Sequence, residues 1–104
     1  MAKYLLVYHG GSMPEGEAAQ AAVMGAWEGW FHELGAALVD GGNPASGTKV
    51  ISADGSVADG NETSPSGYSI ISAGSHDEAV RLAKGCPVLK GGAMVEVVET
   101  FNAM

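Results

Sequence analysis

One repeat of bulky residues limits what this chain can become. Val23, Trp27, Trp30 and Leu34 recur at steps of four, three and four. At ~100° per residue they form a single stripe on a helix, with Met24 and Phe31 on its shoulder. This stripe is the core of a small domain. Gly35 stops the helix, a short apolar strand follows at 36–40, and Gly41, Gly42, Asn43 and Pro44 turn the chain. Opposite the stripe stand Ala18, Ala21, Ala22, Gly25, Gly29 and His32, where a solvated helix normally carries Lys, Glu and Gln. Two interior glycines cost roughly 1 kcal/mol each relative to alanine. The back of the helix is therefore either approached closely by another element or subunit, or it is a tolerant exposed face. In both cases His32 points away from the core.

The stretches on either side follow the same logic of period and punctuation. Residues 3–9, KYLLVYH, are strand formers bounded by Gly10 and Gly11, with Leu5 and Val7 on one face and Tyr4, Leu6 and Tyr8 on the other. Ser12 then opens a capping-box pattern with Pro14 and Glu15, so the first helix is expected to start there and run to Gly35. Asp54-Gly55 is a hairpin signal flanked by 48–53 and 56–58. Residues 59–67, DGNETSPSG, are polar and turn-rich and predict a mobile surface loop with nothing to bury. A strand at 68–73 places Tyr68 and Ile70 on one face and Ile71 on the other. Ser75-His76-Asp77-Glu78 repeats the capping box and Gly85 repeats the stop, which predicts a second helix at 77–84. A loop at 87–92 and a last strand at 94–101 complete the chain.

With the hairpin set aside as an excursion, the order is βαββαβ, the split arrangement of α+β ferredoxin-like folds, in one domain spanning 1–104. At 104 residues there is material for one core only. Both helices lie on one sheet face in such a fold. Tyr4, Leu6, Ile70 and Val98, or their alternates, leave the other face apolar and bare, and a second copy is the simplest cover, so a homodimer is expected. Twelve acidic residues against five basic ones give a net charge of −7, which argues against nucleic acid or an anionic membrane as partner. The apolar run near the N-terminus is too short for a signal-peptide core or a span, and the single Cys86 cannot close an intrachain disulfide. Both point to the cytoplasm.

Chemistry-bearing residues are few. His9, His32 and His76 show no paired ligand spacing, so no metal is expected, and nothing calls for a cofactor. Cys86 lacks a CxxC partner and reads as a small semi-buried residue before Pro87. His9-Gly10-Gly11-Ser12 resembles an anion-binding strand-to-helix turn, which makes Ser12 a candidate ligand contact. Trp27 and Trp30 are core residues at this spacing, although a ligand could stack on them. Topology adds more. In βαββαβ the first two strands run parallel with the third between them, so His9 and Asp40 are expected to share one sheet edge with Tyr68 and Glu96, ~10 Å apart across two strands. Two functions fit. One is an isomerase or lyase in which His9 or Asp40 moves a proton and Tyr68 holds a substrate oxygen, acting on a small ligand of anionic character. The other is a non-catalytic dimeric binding or interaction module.

Three segments also resemble a known family. MAKYLLVYHGG, WFHELGAALVDGGNP and GYSII…SHDEAVRLAKGCPVLKGGAMVEV look like the YCII-related, or DGPF-domain, family over nearly the whole chain. The resemblance implies a dimeric α+β barrel of ferredoxin-like subunits with an acid–base site resembling that of muconolactone isomerases. Two positions depart from the family pattern. Asp59-Gly60-Asn61-Glu62 stands where the DGPF motif would, and Met24 stands where some members place a first-helix histidine.

Overall fold

The computed structural model of the protein describes residues 1–11, 15–61 and 63–103. Six strands and two helices follow one another as β1 (Ala2–His9), α1 (Glu17–Leu34), β2 (Leu38–Asp40), β3 (Lys49–Ile51), β4 (Val57–Asp59), β5 (Pro65–Ala73), α2 (His76–Ala83) and β6 (Met94–Glu99). Four of the strands form an antiparallel sheet in the order β2-β5-β1-β6, while β3 and β4 pair only with each other. Without the hairpin this is a four-stranded sheet with β1 and β2 parallel and β5 inserted between them, the order expected of βαββαβ and compatible with a ferredoxin-like fold.

The alternation in β1 decides what packs where. Tyr4, Leu6 and Tyr8 are buried, as are Ser69, Ile71 and Ala73 of β5, and together they form the face on which the helices lie. Trp30 and Leu34 of α1 pack onto that face from one side and Ala79 and Ala83 of α2 from the other. Trp30 is the hinge of this layer. Its indole meets Trp27 edge-on with ring centroids 5.7 Å apart and donates from Nε1 to the Leu82 carbonyl of α2 at 3.2 Å. A β-carbon on Gly85 would come within 3.2 Å of the Trp30 ring, so the glycine that ends α2 also makes room for the indole. A buried chain of hydroxyls ties the sheet internally: Tyr8 donates to Ser69 at 2.7 Å, and Ser69 donates to the Gly41 carbonyl at 2.7 Å.

The aromatic stripe folds inward as its spacing predicts, but it narrows toward the N-terminal end. Trp30 and Leu34 are buried, Trp27, Val23 and Phe31 are partly so, and Met24 is 56% exposed. The back of α1 is open: a β-carbon on Gly25 or Gly29 would meet nothing within 4 Å, so among the described residues no element approaches it. His32 is exposed there, as its place on the wheel requires. Gly35 ends α1 with φ 53° and ψ −122°, a conformation that needs glycine, and its N–H caps the Phe31 carbonyl.

Several boundaries differ from the sequence reading. α1 begins at Glu17 behind Gly16, with no side-chain cap, rather than at the expected Ser12; Ser12, Met13 and Pro14 lie outside the described residues. Gly35–Ala37 make a 3-10 turn, which leaves β2 only three residues long. The second capping box forms one residue away from the standard pattern. Ser75 accepts from the Glu78 N–H at 3.1 Å, but the Glu78 carboxylate reaches Gly74 N–H at 3.0 Å. The expected loop at 87–92 is largely a 3-10 turn, Pro87–Gly91.

Trp30→Ala is expected to cost ~3–5 kcal/mol, because it removes a large buried ring and strands the Leu82 carbonyl. Trp30→Phe should cost less, since it keeps most of the packing. Urea unfolding monitored by circular dichroism reads both values, and an alanine cost below ~1 kcal/mol, the range of ordinary surface substitutions, would remove Trp30 from the core.

Candidate functional site

Strand register divides the predicted site residues. On the sheet face away from the helices, Leu5 pairs with Ile70 and Val98, and Val7 pairs with Tyr68 and Glu96. His9 falls on that face too, because it alternates with Val7. Tyr68 and Glu96 therefore flank Val7 from either side, ~10 Å apart across two strand spacings. Diagonally behind Glu96 stands His9, whose Nε2 makes a short contact with Glu96 Oε1. His9, Tyr68 and Glu96 thus come together on an apolar floor of Leu5, Val7, Ile70 and Val98.

Asp40 does not join them. It is level with Ile70, and Ile70 is level with Leu5, four residues short of His9. At ~3.3 Å per residue and ~4.8 Å per strand, the two α-carbons are ~16 Å apart, so the shared edge expected of His9 and Asp40 is not formed. The Asp40 carboxylate instead accepts the Gly42 N–H at 2.8 Å in its own turn. At the level of His9 the neighbour across β5 is the 43–45 segment: Pro44 bridges Gly67, and Ala45 N–H donates to the Ser66 carbonyl at 3.0 Å. This close run is possible because Gly42, at φ 73°, has no β-carbon to strike the Tyr68 carbonyl. Ser12 lies outside the described residues.

The segment expected as a mobile loop at 59–67 holds the histidine. Asp59 closes β4, Pro65 opens β5, and between them Asn61 accepts from Thr63 N–H at 2.8 Å while Ser64 closes back on Asn61. That turn brings the Thr63 carbonyl to 2.8 Å from His9 Nδ1. A carbonyl and an ionised carboxylate can only accept, so both ring nitrogens must donate and the cationic imidazolium is the form that fits. The Thr63 carbonyl, and then Glu96, accordingly raise the His9 pKa above the ordinary histidine value. The His9 side chain is only 14% exposed, whereas Glu96 is 60% exposed. No residue type signals the Thr63 contact, because its backbone makes it. Ser69 did have a signal, the lone hydroxyl on the buried face of β5, among Gly67, Ile71 and Ala73.

The remaining titratable residues of the core do structural work. Burial holds the Tyr8 phenol well above its ordinary range, so it stays a donor to Ser69. Burial also pushes the Cys86 thiol up, which keeps it unreactive. His76 Nε2 sits 2.8 Å from the Val97 carbonyl and its ring lies against Tyr4.

A second feature lies on the helix side of the sheet. A cleft of about 760 Å³ runs between α1, the 87–91 turn and the end of β1. Val23, Trp27 and Val88 make its apolar wall, and Gly10, Ser66 and Lys90 make its polar one. The His9 ring points to the other face and does not line it. Among the described residues no three His, Cys, Asp or Glu side chains converge as metal ligands, and no helix is long and apolar enough to cross a membrane.

The raised His9 pKa sets a pH dependence. The clamp contributes fully below the unfolded histidine pKa of ~6.5 and is lost as pH rises through the higher folded value. Wild-type stability should therefore fall over that interval relative to His9→Gln, measured by urea unfolding at a series of pH values. In the same interval Glu96→Gln should lower the His9 pKa read by NMR titration. Parallel pH profiles for wild type and His9→Gln would remove the clamp. No protein-family model matches this chain and no curated protein sequence matches it, so the resemblance to YCII-related proteins rests on its motifs.

Proposed function

We propose that this protein is a YCII-related homodimer, an α+β barrel closed by two copies of the bare sheet face, that carries out proton transfer on a small ligand as an isomerase or lyase. The observation that supports it is the His9–Glu96 pair on an apolar face that no described helix covers. In this reading the proton-accepting atom belongs to Glu96. His9 donates from both nitrogens and has no lone pair to offer, so it acts as a positioning residue that fixes the carboxylate. Glu96 takes a proton from a carbon beside a carbonyl, the Tyr68 hydroxyl across Val7 donates to the oxygen that gains charge, and the same proton returns to another carbon or to the leaving group. Closure by a second copy would exclude water from the pair and strengthen each of these interactions. A cytoplasmic location fits the charge and the lone thiol.

A second reading has its own observation. The cleft beside Trp27 is large enough for a small ligand and offers Lys90 to an anion, yet its described lining holds no acid–base pair. A non-catalytic module that binds a small aromatic or aliphatic carboxylate there would use this chain equally well.

Solvent deuterium exchange into a panel of 2-oxo acids and 1,3-dicarbonyl compounds separates the two. Exchange catalysed by wild type and reduced at least ~100-fold in Glu96→Gln, the scale of a lost general base, supports proton transfer. Carboxylate binding by calorimetry that is lost in Lys90→Ala and unchanged in Glu96→Gln, with no exchange, would leave the binding module. Light scattering that shows a monomer at micromolar concentration would overturn the barrel.

A further inference from the structure

The β3–β4 hairpin is an arm without a body to rest on. Its ladder pairs Lys49 with Asp59, Val50 with Ala58 and Ile51 with Val57, and it is closed at the tip by Ser52 N–H to Ser56 O at 2.8 Å and Gly55 N–H to Ser52 O at 2.8 Å. Asp54 locks the tip by accepting the Ser56 N–H and hydroxyl. The tip is thus well made, yet the strands carry β-branched residues into solvent on both faces. Val50 is 49% exposed, and the cross-strand pair Ile51 and Val57 are 72% and 63% exposed. An isolated two-stranded hairpin is marginal in water, and among the described residues this one packs on no other element beyond marginal contact.

The dimensions of the chain point the same way. Its radius of gyration is 15.1 Å, against ~13 Å for a compact domain of this length. Its accessible surface is 7084 Å², against the ~5,400 Å² that size scaling gives for a folded monomer of this mass. The excess, ~1,700 Å², matches what each partner buries in a stable obligate dimer. The bare sheet face alone does not account for it, because Leu5, Val7 and Ile70 on that face are already half-buried by their neighbours.

We propose that the β3–β4 hairpin is a dimerisation arm that lays Ile51 and Val57 on a second copy of this chain, beside the paired sheet faces. The inference rests on the homodimer proposed above. A second copy is the occupant that the surface fits, because a two-fold axis lets each copy offer an arm and receive one, and covers sheet face and arm in a single isologous interface. Gly60 N–H to Thr48 O at 2.9 Å closes the base of the arm, and the Thr63 carbonyl just beyond it meets His9 Nδ1 at 2.8 Å, which brings that base next to the sheet.

Ile51→Ser/Val57→Ser tests the arm, with both changes at exposed positions that leave the monomer core intact. Sedimentation equilibrium should show a dimer dissociation constant raised at least ~10-fold, from the loss of two buried aliphatic contacts, with unchanged far-ultraviolet circular dichroism. A dimer of unaltered affinity in the variant overturns the arm and leaves the barrel standing, while a monomeric wild type overturns both. Amide exchange supplies a second reading on the unaltered chain. Protection of residues 49–59 should fall when the protein is diluted below its dissociation constant, and protection that does not change on dilution overturns the arm.

Discussion

Everything in this molecule follows from two neighbouring strands that are apolar on both sides. β1 and β5 sit at the centre of the sheet and pair along their whole lengths, Ala2 with Ala73 through Tyr8 with Gly67. One face, Tyr4, Leu6, Tyr8, Ser69 and Ile71, recruits the helices and fills the core. The other, Leu5, Val7, Tyr68 and Ile70, is left bare, because a βαββαβ chain has only two helices and both right-handed crossovers put them on the same side.

The residues whose placement was legible in the sequence are those whose neighbours are close in the chain. The Trp stripe, the stop at Gly35, the cap at Ser75 and the Asp54-Gly55 turn depend on contacts within a few residues, and each forms where its local chemistry puts it. The start of α1 is different. Ser12, Pro14 and Glu15 carry the right residue types, yet the helix begins only at Glu17, since a capping pattern states a preference worth about 1 kcal/mol that other contacts can override.

The site was legible by topology and not by register. Strand order correctly implied that β5 lies between β1 and β2, but not that Leu38–Asp40 stops opposite Ile71 and Ile70 with a shift between them. A register offset of four residues moves a side chain ~13 Å along a sheet, which is the whole difference between a His9–Asp40 pair and no pair. The partner that His9 does find, Glu96, is one that strand order had placed at the same edge, and the antiparallel register of β1 and β6 sets it diagonally beside the histidine. Thr63 was hidden more deeply still, because a carbonyl oxygen is the same in every residue.

The proposed pairing of two sheet faces carries an electrostatic cost. The chain carries twelve carboxylates, and association of two such copies works against a charge of −7 on each. By register the bare face carries Lys3, His9 and Glu96 as ionisable side chains besides Tyr68 on β1, β5 and β6, with Asp40 level with Ile70 at its β2 edge. Glu96 is there in contact with a histidine that two acceptors hold in its cationic form. Glu17, Glu28, Glu33 and Asp77 are exposed on the helices instead, on the far side of the sheet. Repulsion between these helix carboxylates would act across the thickness of the helix layer and is largely screened beyond ~8 Å at physiological ionic strength, whereas Asp54 and Asp59 lie on the hairpin itself. Glu96 would enter such a pairing already in contact with His9, and Asp40 would remain at the edge of the floor with its carboxylate on the Gly42 N–H.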